Sequence, residues 1–149
     1  MILSLVSPQK NISGFVEGFA KSLSWIKKYE NCVELIVIED NSDDQSYQLL
    51  RRFFSSYKNA IIKRNRGNGK IAALNEGFRL AKGKYVRFID GDDNCLVETM
   101  CNVRLLEDSF FDVCSSSFFI KIQKLYIPNL SRFWHQSPFL PQKFHSPPR

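Results

Sequence analysis

Four short apolar runs separated by amphipathic stretches constrain this chain more than any other feature. The runs are residues 2–6, 35–38, 60–62 and 85–89. Largely continuous apolar runs of this length suit strands covered on both faces, because neither face then meets water. After the first run, Phe15, Val16, Phe19, Leu23 and Ile26 recur at helical spacing, with Asn11 or Ser13 as the expected cap. After the second, Ser42-Asp43-Asp44-Gln45 has the form of a capping box, and Tyr47, Leu50, Phe54 and Tyr57 mark the inner face of another helix. After the third, a glycine-bearing loop at residues 65–70 leads to Ile71, Leu74, Phe78 and Ala81, the expected inner face of a helix stopped at Gly83. A fourth helix is expected over residues 96–106. This alternation predicts an α/β fold with a mainly parallel sheet between helices, and in such sheets ligands sit at the carboxyl ends of the strands.

Composition changes along the chain. All 15 acids lie at or before Asp112, with 16 of the 21 Lys and Arg, so residues 1–112 carry +1 and the remainder supplies +5 of the net +6. The basic balance therefore belongs to a tail, and nucleic-acid binding is not expected. All seven Gly fall at or before Gly91, while five of six Pro fall at or after Pro128. Residues 113–122 predict one strand or two short ones, and residues 126–149 predict no regular structure. Cys32, Cys95, Cys101 and Cys114 form no CxxC pair and have no His at ligand spacing, so reduced thiols are expected. The amino terminus lacks the basic flank and cleavage site of a signal peptide, and there is no 18-residue apolar run. A soluble or membrane-peripheral chain follows.

Asp90-Gly91-Asp92-Asp93-Asn94 carries the most chemistry. Three carboxylates within four residues repel one another, and a hard divalent cation completed by phosphate oxygens would relieve that repulsion. A solvated acidic turn is the alternative. An EF-hand loop is excluded, because Cys95 and Cys101 stand where Gly and Glu are needed. A haloacid-dehalogenase phosphatase would place its Asp-x-Asp after the first strand and a Thr where Asn94 stands. In the loop Gly67-Asn68-Gly69-Lys70-Ile71-Ala72, Walker A fails at Arg64 and Ile71, while a GxGxxA dinucleotide fingerprint stays open, with Asp90 at 18 residues past Ala72. Asp40, ending the second apolar run, either accepts a hydrogen bond from a ligand or caps the next helix. His135 and His145 have no partner pattern.

In order, these pieces resemble the nucleotide-binding half of the family 2 nucleotide-sugar glycosyltransferases. Ser4 to Asn11 resembles the opening strand and its Pro-x-x-Asn loop, and Leu35 to Ser42 the second strand with its acidic pair. Asn65-Arg66-Gly67 and Ala73-Leu74-Asn75-Glu76-Gly77 resemble the Asn-x-Gly and Ala-Leu-Asn-x-Gly segments. Phe88-Ile89-Asp90-Gly91-Asp92-Asp93 is similar to the final strand and its Asp-x-Asp (DXD) metal motif. Ile12 stands where the family commonly has Glu, and Glu39 replaces the first Asp of the usual pair.

The resemblance implies a Rossmann-like GT-A three-layer sandwich with a mainly parallel central sheet, truncated after the metal-binding motif. Residues 1–112 would form a nucleotide-sugar-binding half-domain, and residues 113–149 an irregular basic, Pro-rich tail standing for a truncated acceptor half. Pro8, Asn11, Asp40, Lys70 and Asp92 would bind the nucleotide, Asp40 reading the base; Asp93 and Asp90 would bind Mg²⁺ or Mn²⁺ on the diphosphate. The implied activity is inverting transfer from a nucleoside diphosphate sugar, UDP-linked by preference, to a saccharide or lipid-linked acceptor, in polysaccharide biosynthesis. Residues 113–149 hold no carboxylate, so no catalytic base is assigned. A non-catalytic sugar-nucleotide-binding remnant and a Rossmann dinucleotide-binding protein are the alternatives. The resemblance also implies a cytoplasmic chain at the inner face of the membrane, peripherally associated, with self-association through an uncovered apolar face.

Overall fold

Strand β1, Leu3–Gln9, lies second from one edge of a four-stranded sheet, and its seven residues are all buried. The computed structural model describes residues 1–95, 97, 100 and 103, together with the backbone of residues 119–122 and 125–128. The chain divides into two units, Met1–Phe110 and Phe111–Arg149.

In the first unit the chain runs from β1 through helix α1 (Val16–Ser22) and a 3₁₀ helix (Ser24–Tyr29) to β2 (Val33–Glu39). It continues through α2 (Ser46–Phe54), β3 (Ala60–Arg64), α3 (Lys70–Leu80) and β4 (Tyr85–Phe88). The strand order is β3-β2-β1-β4 and every pairing is parallel. This is the α/β architecture that the apolar runs predict. The chain adds strands to one side of β1 and then returns to its other side, so the order reverses between β1 and β4. At such a switch point a crevice opens beyond the carboxyl ends of the strands.

Side chains alternate across the sheet. Leu3, Leu5, Leu35 and Val37 face a core completed by Val16 and Phe19 of α1, Ile26, and Leu50 and Phe54 of α2. Val6, Ile36 and Ile38 face Ala73 of α3 on the opposite side. Burying Leu35-Ile36-Val37-Ile38 on both faces contributes about 1.5–3 kcal/mol per side chain, which is why this run can only be an interior strand.

Four details depart from the sequence expectations. First, β1 continues through Ser7-Pro8-Gln9 instead of closing there. Val6 O accepts from Ile89 toward β4 and Gln9 O accepts from Asp40 toward β2, so Pro8 turns its missing N–H to the β4 side. The β4 pairing ends at Val6, so the ladder loses nothing.

Second, α3 is rotated about its axis. Ile71 and Phe78, expected inside, are 77% and 57% exposed, while Ala73, Glu76 and Gly77 are buried. A Cβ at Gly77 would come within 2.4 Å of Val6 Cγ1. The helix therefore docks along its small residues, where its backbone approaches the sheet most closely.

Third, neither Asn11 nor Ser13 caps α1, and the 42–45 capping box does not form. Instead the loops after β1 and β2 are tied together. Asn11 N–H donates to Ser42 Oγ (2.9 Å), Ile12 N–H to Ser46 Oγ (2.8 Å), and Ser13 N–H to Asp44 Oδ2 (3.0 Å). Asp43 N–H donates to Asn11 Oδ1 (3.1 Å).

Fourth, in the second unit β5 (Phe119–Ile122) pairs antiparallel with β6 (Leu125–Pro128), so regular structure extends past residue 126. The expected fourth helix over 96–106 falls largely outside the described residues, as does the tail beyond residue 128.

Candidate functional site

A cleft of about 560 Å³ opens at the reversal point, beyond the carboxyl ends of β1, β2 and β4. Pro8, Gln9 and Lys10 form its floor as β1 ends, and Ile12 and the exposed ring of Phe15 follow on the α1 side. Asp40, Gly69 and Lys70 line another part, and Asp90, Gly91 and Asp92 the part that follows β4.

Asp40 is 4% exposed and is held by donors from the glycine loop. Asn65 Nδ2 donates to its Oδ1 at 2.6 Å, and Gly69 N–H lies 3.0 Å from both carboxylate oxygens. Gly69 has φ +87°, a left-handed conformation that favours glycine, and it presents this N–H just before α3 begins. From α3, Glu76 pins the same loop by accepting Arg66 N–H at 2.9 Å and pairing with Lys63 at 2.9 Å. Those two contacts hold the Glu76 carboxyl below its usual range against the opposing effect of burial. Asp40 thus both lines the cleft and anchors the loop that delivers Lys70.

The acidic turn closes on itself through Asp93 N–H, which donates to Asp90 O at 3.2 Å. Lys70 Nζ reaches both oxygens of Asp90, at 2.8 and 2.9 Å. That hydrogen bond raises the Lys70 ammonium above its usual range; desolvation opposes the shift, and the charges of Asp90, Asp92 and Asp93 reinforce it. Asp92 lines the cleft. Asp93 is exposed and is not among the lining residues. Among the described residues no group of three or more His, Cys, Asp and Glu is arranged to hold a metal ion. A hard cation on a diphosphate needs only one or two protein carboxylates, the phosphates and water completing its shell, and this open donor set fits that chemistry. Asn11, expected at the nucleotide, is part of the tie between the first two loops, with φ 52°, and is not among the residues that line the cleft.

A family model described as Glycosyl transferase family 2 matches residues 10–145. The chain belongs to glycosyl transferase family 2. It is similar to the uncharacterized glycosyltransferase YibD of Escherichia coli K12, at 28% identity over 119 residues, covering 78% of this chain and 34% of YibD. The minor teichoic acid biosynthesis protein GgaB of Bacillus subtilis is 30% identical over 111 residues, covering 73% of this chain and 12% of GgaB. The structure of Staphylococcus aureus TarS in complex with UDP-GlcNAc superposes with a TM-score of 0.65 at 24% identity, covering 72% of this chain and 31% of that one. The shared fold is GT-A. The chain spans about a third or less of the length of these relatives.

Within this family 2 chain, the GxGxxA loop follows β3, an edge strand, and serves to present Gly69 to Asp40. Family membership replaces the dinucleotide-binding alternative.

Gln9, which is not among the residues the sequence points to, is 2% exposed and lines the cleft. Ser7 Oγ donates to Ile89 O at 2.8 Å and therefore accepts from Gln9 Nε2, which fixes the orientation of the amide. Gln9 Oε1 is left buried with no hydrogen-bond partner in the described structure. The available signal was two polar residues, Ser7 and Gln9, ending an otherwise apolar strand.

Proposed function

We propose that the cleft is the donor site of a glycosyltransferase and binds a nucleoside diphosphate sugar, a UDP-sugar by preference. The observation that carries this reading is the meeting, in one cleft at the sheet's reversal point, of buried Asp40 with Lys70, Asp90 and Asp92. A diphosphate requires cationic partners, and Lys70 supplies one from the chain itself. Asp93 and Asp90 would hold Mg²⁺ or Mn²⁺, and Asp92 would lie near the ribose. When bound there, such a cation would supply positive charge to offset the charge of a departing nucleoside diphosphate. Asp40 is buried and lines the same cleft as Pro8, and its free lone pairs would accept a base N–H while Gly69 and Asn65 keep the carboxylate in place. Asn11 would act on the nucleotide only through the loop it holds. Phe15 and Ile12 add apolar surface to the cleft lining.

Support for the donor comes from TarS, solved with UDP-GlcNAc. Support for a saccharide or lipid-linked acceptor comes from GgaB and from the Escherichia coli β-1,3-glucosyltransferase WfaP, whose acceptor is a diphosphoundecaprenol-linked sugar. An acceptor of that kind would bring the chain to the inner face of a membrane. Transfer also requires a base to deprotonate the attacking hydroxyl, and residues 113–149 contain no Asp or Glu. A base would come from a partner or from more of a longer polypeptide; without it the chain binds the donor and does not transfer.

Calorimetry with UDP, in Mn²⁺ and in excess chelator, tests the donor site. Binding should require the cation, and Asp93→Asn should weaken it at least tenfold, because a neutral amide is a poor ligand for a hard ion. Equal binding with and without Mn²⁺ would refute the metal-bridged site.

A further inference from the structure

Lys70 and Asp90 are twenty residues apart in the chain, yet the Lys70 ammonium bonds both oxygens of the Asp90 carboxylate. The contact therefore engages both oxygens that Asp90 would offer to a cation. Asp92 and Asp93 show no such partner in the described structure. The acidic turn is thus already part-neutralised, by a cation that belongs to the chain.

This internal cation is built to leave. Its backbone is fixed at the first residue of α3, directly after Gly69, whose N–H is held by Asp40. Its side chain is 62% exposed and Asp90 47%, so neither group is locked by packing. An exposed pair of this kind is weak enough to exchange partners. A divalent ion and the Lys70 ammonium cannot share one carboxylate without strong mutual repulsion. An incoming diphosphate, by contrast, offers the ammonium replacement oxygens within the same cleft.

We propose that Lys70 is a placeholder cation: it occupies Asp90 in the ligand-free cleft and yields that carboxylate when a diphosphate draws the ammonium away, so cation and diphosphate binding depend on each other. The proposal rests on the donor-site reading above. It makes Lys70 a positioning residue for the metal-binding acid as well as a phosphate ligand. Because coupling is reciprocal, the same exchange makes the cation favour the diphosphate as much as the diphosphate favours the cation. Metal alone should therefore bind weakly, limited by the ammonium already in place.

The test uses the full chain stripped of metal, with MnCl₂ alone and UDP in chelator as separate titrants. Lys70→Met and Lys70→Gln should each bind Mn²⁺ alone about three- to tenfold more tightly than the unsubstituted chain, since competition and repulsion are both removed. Asp90→Asn should bind UDP in chelator about three- to tenfold more tightly, because Lys70 is then free for the phosphates. Mn²⁺ affinity that is unchanged or lower in both Lys70 variants, or UDP affinity unchanged in Asp90→Asn, would overturn the exchange. If the unsubstituted chain failed to bind UDP even with Mn²⁺, the donor-site reading would fall, and the Mn²⁺ titrations alone would decide the placeholder role. Circular dichroism confirms that each variant is folded.

Discussion

Gly91 rests on the side-chain amide of Gln9: a Cβ at position 91 would lie 1.8 Å from Gln9 Oε1 and 2.6 Å from its Cδ. The middle residue of the acidic turn is therefore glycine because a strand-end side chain fills the space beneath it. Gln9 is buried and held at its other amide atom, since its Nε2 is bonded to Ser7, and Ser7 to Ile89 just beyond β4. Gly91→Ala should lift Asp90 and Asp92 away from the cleft and reduce metal-dependent UDP binding at least tenfold. Truncating the residue below should undo this, so Gly91→Ala with Gln9→Ala should regain most of the affinity lost. Calorimetry on the two single variants and the double variant measures the coupling; additive losses would show that the two residues do not act through their contact.

The rotation of α3 makes neighbouring positions behave oppositely. Gly77→Ala would drive a methyl group into Val6 and should destabilise the fold by about 1–3 kcal/mol, although alanine is the better helix former. Phe78→Ala removes a mostly exposed ring and should cost less than about 1 kcal/mol. Urea unfolding of the two variants ranks the costs. The reverse ranking would restore the inner face that the apolar spacing suggests.

Asp40 has two tasks that separate by substitution. Asp40→Ala removes the acceptor for Gly69 N–H and Asn65 Nδ2 and should lower stability by about 1–3 kcal/mol. Asp40→Asn keeps one carbonyl acceptor for the loop, yet presents an amide where a base N–H would dock. It should stay close to native stability while its preference for UDP over other nucleoside diphosphates falls. Competition binding with UDP and GDP at fixed Mn²⁺ provides the readout. An unchanged preference would leave Asp40 with the loop-anchoring role alone.

Asp44 joins the first two loops, and its carboxylate should show in acid stability. Burial favours its neutral form, but hydrogen bonds from Ser46 and Ser13 outweigh that and hold the carboxyl down, from 3.8 to about 2. A carboxyl with a lowered native pKa stabilises the fold above its unfolded value near 3.8, and the contribution is lost as pH falls toward 2. Asp44→Ala should thus melt below the unsubstituted chain at pH 5–7, with the gap narrowing as pH drops below about 4. A gap independent of pH would show that the ionised carboxylate is not what holds the loops together.

The sequence by itself determined the sheet, its helices and the edge that carries the site. Continuous apolar runs such as Leu35-Ile36-Val37-Ile38 have one economical resting place, between two layers of helix. Runs separated by helical lengths can pair only in parallel, and that topology puts Asp40 and Asp90-Gly91-Asp92 at one edge. Local chemistry was enough for this, because burying such runs outweighs everything else nearby. What only the tertiary structure decided were outcomes set by contact between distant segments. Apolar spacing alone turns Ile71 and Phe78 inward, but close approach at Gly77 wins, since an absent Cβ lets backbone meet sheet. Nothing local tells that Asn11 ties two loops together, through its N–H to Ser42 and its Oδ1 from Asp43. Gln9 looks like an ordinary polar strand end until Gly91 lies on it. Lys70 and Asp90 become partners only because α3 crosses back over β2 and β1 to deliver β4 at the far edge. Charges twenty residues apart interact only where the fold brings them together, since their attraction fades within about 10 Å in salt water.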